Sequence, residues 1–193
     1  MPNWCSTTYI ITGDDKEINE LYNIIEGMQN SKPQTESDFG NMWLGELVHR
    51  LGFDPETHRC RGEITFAEIR EDGNLEIWQS TAWREQEGVR EVICEKFPSL
   101  DVYFADEEFG CEWFVTNDTE GTFFDFRYIV EIGNENDSEF EYFTCAESAA
   151  EYVERNTSFK TEKKDIEDMS GWSIRMSDKQ GNFVCIHKVE IEK

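Results

Sequence analysis

The sequence predicts an α+β protein: an antiparallel sheet with helices packed on one face. Three observations carry this. Short β-branched and aromatic runs alternate with stretches of helical periodicity. Asp72-Gly73 separates two strand-like runs, and Asp-Gly tolerates the positive φ of a tight reversal. Pro98 stops a helical run just before another strand, because proline lacks the N–H a helix ladder needs. At 193 residues the chain has room for one large or two small domains, and fourteen Phe, six Trp and six Tyr can fill a core.

Residues 4–12 alternate as a strand that closes on Gly13. Asp14 then starts a helix, with Glu17 three residues on as in a capping box, and Ile18, Leu21, Tyr22 and Ile25 recur at helical spacing until Gly27. Residues 30–40 form a polar loop. Residues 42–52 predict a short helix with Trp43, Leu44, Leu47, Val48 and Leu51 inward, although Gly45 weakens it by up to about 1 kcal/mol relative to Ala. The Asp72-Gly73 hairpin follows, then a helix over 85–97 with Val89, Val92, Ile93 and Phe97 on one side. A strand over 100–104 comes next, and residues 111–115 extend it past a turn at Gly110. The resulting β-α-insertion-β-β-α-β order is the split βαβ, or ferredoxin-like, arrangement, a name for shape only, since no iron–sulfur cysteine spacing is present. This domain is assigned to residues 1–120, with its helical insertion near 30–62.

Residues 121–193 predict a smaller β-β-α-β-β unit, either an independent domain or an extension of the sheet. "FDFRYIVEI" and "EFEYFT" flank a polar turn. Thr144 and Glu147 suit a capping box for a helix whose Ala146, Ala149, Ala150 and Val153 form a narrow apolar face. Residues 156–170 read as a charged loop, and "WSIRMS" and "NFVCIHKVEI" as a closing hairpin.

Forty-two acidic residues oppose eighteen basic ones, a net charge of −24. Such a surface repels phosphate and anionic lipid, which disfavours direct nucleic-acid or membrane binding and suits a basic partner. The acidity centres on residues 106–155, which hold fifteen acidic residues and two basic ones. No run approaches the roughly 20 apolar residues of a membrane span, and no secretory leader is visible, so a cytoplasmic location with free thiols is expected for the six scattered cysteines.

The opening "MPNWCSTTYIITG" is similar to the start of the Api92-like proteins, a group of unknown function found in phages, plasmids and bacterial genomes. That family's later block resembles Thr81-Ala82-Trp83, then Phe97-Pro98-Ser99-Leu100, then Glu108-Phe109-Gly110. The resemblance covers roughly residues 1–115 and rests on Trp4, Cys5, Thr81, Trp83, Phe97, Pro98, Glu108 and Gly110. It implies a ferredoxin-like domain of mobile-element or bacterial cytoplasmic origin and no activity. The chain departs from the usual family pattern after Trp83, where many relatives carry prolines and this one reads "REQEGV".

Candidate chemistry is sparse. Cys5 has no basic residue nearby in sequence to activate it and reads as a buried thiol. His58-x-Cys60 and Cys185-x-His187 each place two metal-binding side chains on one side of a strand, but a closed zinc site needs both pairs to meet. Asp106, Glu107, Glu108 and Glu112 could hold a hard cation or meet a partner, yet lack a calcium-loop rhythm and read as a solvated acidic turn. Trp78, Trp83 and Trp113 read as core. No phosphate loop, Ser–His–Asp pattern or HExxH is present, so no catalytic residue, metal or cofactor is assigned. The leading expectation is a non-enzymatic interaction protein that binds a basic protein through Asp106, Glu107, Glu108 and Glu112, in the manner of a nucleic-acid mimic. The alternative is a small-molecule or metal-dependent enzyme with a cleft between the sheet and loop 30–62, combining His49 or His58 with carboxylates and Trp43. A third option is a scaffold that dimerises through an edge strand at 183–191.

Overall fold

A computed structural model describes residues 3–36 and 38–192. Met1 and Pro2 of the opening motif therefore lie outside the described residues. The protein is α+β, and its chain forms two compact units, one ending at Glu108 and the other beginning at Phe109.

In the first unit, β1 (Trp4–Thr12) leads to α1 (Asp15–Gln29) and the short α2 (Leu44–Arg50). The hairpin of β2 (Gly62–Ile69) and β3 (Leu75–Ala82) follows, then α3 (Glu87–Lys96) and β4 (Asp101–Glu108). The strands lie in the order β4-β1-β3-β2, and every neighbouring pair is antiparallel. Asp14 caps α1, its carboxylate accepting from the Lys16 and Glu17 N–H groups. Glu17 does not close the expected box; its carboxylate instead accepts from the Ser99 N–H and hydroxyl. Gly73 takes φ 87° in the hairpin turn, as Asp-Gly predicts.

Alternation along β1 divides the sheet into two faces. Cys5, Thr7, Tyr9 and Ile11 are buried on one face, together with Leu75, Ile77 and Phe104 and with Ile18, Leu21 and Ile25 of α1 and Val89, Val92 and Ile93 of α3. Each such aliphatic side chain contributes about 1.5–3 kcal/mol on burial. Trp4, Ser6 and Thr8 point to the other, open face.

Several sequence expectations fail against this fold. The fourth strand runs on through Ala105 to Glu108, so Asp106, Glu107 and Glu108 form no turn. Register with β1 forces Asp106 and Glu107 to opposite faces. Trp78 and Trp83 are not core; they are 49% and 55% exposed, while Trp113 is half-buried. The second unit opens with β5 (Trp113–Thr116), which pairs in parallel with β10 (Glu190–Ile191).

The second unit continues with β6 (Tyr128–Gly133), β7 (Ser138–Phe143), α4 (Ala146–Asn156), α5 (Lys163–Glu167), β8 (Ser173–Ser177) and β9 (Phe183–Lys188). Its four-stranded sheet has the order β7-β6-β9-β8. Val130, Val184 and Ile186 on one face meet Ala146, Ala149, Ala150, Val153 and Ile166. Ile166 belongs to α5, a helix inside the segment read as a charged loop. Five residues offer too short a period to see. The N-cap of α4 is Cys145, not Thr144. Within the run 183–191, β9 is no open edge, because it lies between β6 and β8 and both its sides are hydrogen-bonded, whereas β10 pairs with β5 on one side only. Among the described residues, no helix is long and apolar enough to cross a membrane.

Candidate functional site

The open face of the first sheet can be laid out from its register. One row across the strands reads Arg61, Ala82, Trp4; the next reads Glu63, Ser80, Ser6, Glu107; the third reads Phe66, Trp78, Thr8. A bulge between Ile64 and Phe66 lets Ile64 stay buried while Phe66 turns out beside Trp78, with ring centroids 4.9 Å apart. At strand spacings of about 4.8 Å, Glu63 and Glu107 end a serine-floored row roughly 14 Å wide.

At one end of this face lies a groove of about 400 Å³ lined by Trp4, Phe39, Trp43, Arg61, Gly62, Glu63 and Ala82. Trp4 is 55% and Phe39 71% exposed, unusual for side chains that gain so much from burial. The wall carrying Phe39 and Trp43 is anchored at both ends. Trp43 bridges Glu63 on β2, and the Ile64 N–H donates to the Met42 carbonyl at 2.9 Å. Gly45 makes room for the Trp43 ring: a Cβ there would sit 2.3 Å from it. At the other end, the buried Glu46 carboxylate accepts from the N–H groups of Gln34 and Thr35, the Thr35 hydroxyl and Arg50 Nε, at 2.6–3.0 Å. Burial alone would raise the Glu46 carboxyl; the Gln34, Arg50 and Thr35 donors overcome it and hold the group at about 2.

A buried polar network sits behind the sheet. Thr7 donates to Asp106 at 2.6 Å. Its one proton being spent, the Thr81 hydroxyl donates to Thr7 at 2.7 Å. Asp106 also accepts the Glu85 N–H at 2.9 Å, and the Glu85 carboxylate receives the Tyr9 hydroxyl and Arg90 Nε. Burial, with the Glu85 charge beside it, pushes the Tyr9 phenol well above its ordinary value, so it remains a donor. The Gln86 amide joins the loop to the groove: its Oε1 accepts the Arg61 N–H at 2.8 Å, and its Nε2 donates to the Ala82 and Arg84 carbonyls. This network holds the turn after β3, where Trp83 takes φ 75°, a backbone a bulky residue adopts only under constraint, and its N–H donates to the Asn3 carbonyl. The motif residues Thr81 and Trp83 are thus a buried anchor and the exposed side chain it presents.

The proposed acidic site residues therefore part company. Asp106 is buried and structural. Glu107 joins Glu63 on the open face. Glu108 is half-buried at the end of β4, and Glu112 belongs to the second unit. Asp118 is also structural: its carboxylate accepts the N–H groups of Gly121, Phe123 and Phe124, donors that outweigh burial and lower its pKa. Asp106 and Asp118 thus take no part in an acidic surface. In the second unit the exposed acids of residues 106–155 are Glu147, Glu151 and Glu154 on α4, Glu139 and Glu141 on β7, and Glu120, Asp125, Glu135 and Asp137 between elements. The expected histidines do not join the groove: His49 is exposed on α2, and His58 Nδ1 lies 3.0 Å from the Asp54 carbonyl. Cys5 is buried, as its sequence context predicts.

The second unit holds a separate polar cluster. Cys185 and His187, two apart on β9, face the same way, with Sγ and Nδ1 3.9 Å apart. A Glu112 oxygen lies 4.0 Å from Nδ1, and a Glu131 oxygen lies 3.7 Å from Nε2. Burial pushes the Cys185 thiol up to about 11, reinforced by Glu112, and pushes the His187 imidazole down. A thiol so raised is a poor nucleophile by itself. The Cys-x-His pair is visible in the sequence; Glu112 joins it only through the fold.

Comparison of the chain with family models, with curated proteins and with solved structures finds no match.

Proposed function

We propose that this protein is a non-enzymatic docking module whose open sheet face receives a Lys/Arg-rich segment of a basic protein. The observation that carries this reading is the juxtaposition, on one face, of exposed Trp4, Phe39, Trp78 and Phe66 with the carboxylates of Glu63 and Glu107. Aromatic faces attract ammonium and guanidinium groups by about 0.5–2 kcal/mol each, more when desolvated. Carboxylates beside them complete the charge, and a net −24 steers cations toward the protein. An exposed aromatic patch also marks an interaction surface in its own right. The same carboxylates oppose phosphate, so the face suits a protein that itself binds nucleic acid better than it suits the nucleic acid. The groove's lining offers Glu63 and Arg61 as titratable groups and neither histidine nor cysteine, which favours docking over an enzyme at this cleft. We place the chain with the Api92-like proteins that its opening and its Thr81–Trp83 block resemble, and in a reducing cytoplasm, which suits its free cysteines.

The test is binding of a Lys/Arg-rich peptide, followed by calorimetry at low and high salt. Trp4→Ala and Glu63→Gln should each weaken binding severalfold to tenfold or more, whereas the double variant Glu147→Gln/Glu151→Gln on α4 should not. Equal losses in both sets would reduce the effect to bulk charge and defeat the proposal. So would the absence of any salt-sensitive binding.

A further inference from the structure

We propose that the second unit holds a divalent transition-metal ion, zinc by its donor set, through Cys185 Sγ, His187 Nδ1 and a Glu112 carboxylate oxygen. These three donors lie within 4.8 Å of one another. Zinc bonds of about 2.3 Å to sulfur and about 2.0–2.2 Å to nitrogen and oxygen imply donor separations of roughly 3.3–3.6 Å at a tetrahedral centre. The Sγ–Nδ1 and Nδ1–Oε2 separations of 3.9 and 4.0 Å exceed that by a few tenths of an ångström. The Glu112 carboxylate, 40% exposed, is the donor able to close the remainder.

The other nitrogen of the His187 ring faces a second carboxylate, the arrangement that orients a metal-binding imidazole. His187 is 1% exposed, yet its Nε2 has no hydrogen-bond partner. A buried imidazole nitrogen without a partner is costly. The Glu131 carboxylate faces that nitrogen at 3.7 Å, where it would take its proton in a hydrogen bond once the ring is drawn up and would leave Nδ1 as the lone-pair donor to the metal. Ser173 Oγ donates to Glu112 Oε2 at 2.7 Å and orients the third ligand. The Phe114 ring, 5.0 Å from the imidazole, walls the site from one side.

The charges balance. A thiolate and a carboxylate neutralise a divalent ion, and Glu131 offsets Arg175, which pairs with Cys185 across β8 and β9. Thiolate with imidazole selects a borderline or soft metal over calcium or magnesium. Three protein ligands leave one position for water. The site is independent of the docking face of the first unit.

The experiment is titration of the chelator-stripped full chain with Zn²⁺ by calorimetry and with Co²⁺ by absorption, which reports a thiolate-to-cobalt charge-transfer band. One equivalent of each metal should bind, with the band present. Cys185→Ser should abolish the band, and Glu112→Gln, at a half-exposed position that spares the core, should weaken binding about 10–100-fold. Cys111→Ser and Cys145→Ser, at exposed cysteines, should leave both unchanged. Failure to take up one equivalent, a band that survives Cys185→Ser, or unchanged affinity in Glu112→Gln would overturn the assignment.

Discussion

Glu46 should make stability depend on acid in a way that one substitution removes. Its carboxylate is fully buried and satisfies the Gln34 and Thr35 N–H groups, the Thr35 hydroxyl and Arg50. Desolvation opposes ionisation there, yet those donors hold the group at about 2 against an ordinary 4.5. At about 1.4 kcal/mol per tenfold, that depression is worth about 3 kcal/mol at neutral pH. Because the folded value is the lower one, the contribution is complete above the unfolded value of 4.5 and drains away as pH falls toward 2. Glu46→Gln removes the charge while keeping the shape. Urea unfolding of both proteins should show a gap of about 3 kcal/mol at pH 6 that narrows steadily between pH 5 and pH 2. Hydrogen exchange at Gln34 and Thr35 should quicken in the variant, and basic-peptide binding should fall with it, because these residues tether the wall that carries Phe39. A gap that stays constant from pH 6 to pH 2 would refute the reasoning.

Two neighbouring acids should behave in opposite ways. Asp106→Ala strips a buried acceptor from Thr7 and from the Glu85 N–H and should cost about 2–3 kcal/mol, whereas Glu107→Ala, half-buried on the open face, should cost clearly less; equal costs by chemical denaturation would contradict the β1–β4 register that separates the two side chains. Gly45→Ala should destabilise the protein despite the roughly 1 kcal/mol that alanine gains over glycine within a helix, since the added methyl meets the Trp43 ring; a raised melting temperature would show that the ring moves aside without loss.

The first unit is largely legible in the sequence because its elements are local. Ile18, Leu21 and Ile25 announce α1, Asp72-Gly73 announces the hairpin, and Pro98 ends α3. What escapes is set by partners distant in sequence. "ADEE" reads as a polar turn by composition, but hydrogen bonding to β1 carries it on as strand, and Asp106 is welcome inside only because Thr7 and Glu85 meet it there. The exposure of Trp78 is in principle readable: it alternates with Glu76 and Ser80, which mark the open face. The groove is not readable, because Phe39 and Trp43 reach it through a loop tethered by Glu46. Cys185 and His187 stand out as a pair, but their third partner comes from Glu112, at φ 55° just ahead of β5.

Docking of a basic segment on the open face of the first sheet is the central claim. The six tryptophans place a reporter on each relevant surface: Trp4, Trp43 and Trp78 on or beside that face, Trp83 next to it, and Trp113 and Trp172 stacked in the second unit. The most direct measurement is the indole N–H spectrum of the isotopically labelled protein during titration with a Lys/Arg-rich peptide. Progressive shifts are predicted for Trp4, Trp43 and Trp78, reversed by salt, with Trp113 and Trp172 unmoved. Shifts confined to Trp113 and Trp172, or no shift at saturating peptide, would contradict the claim.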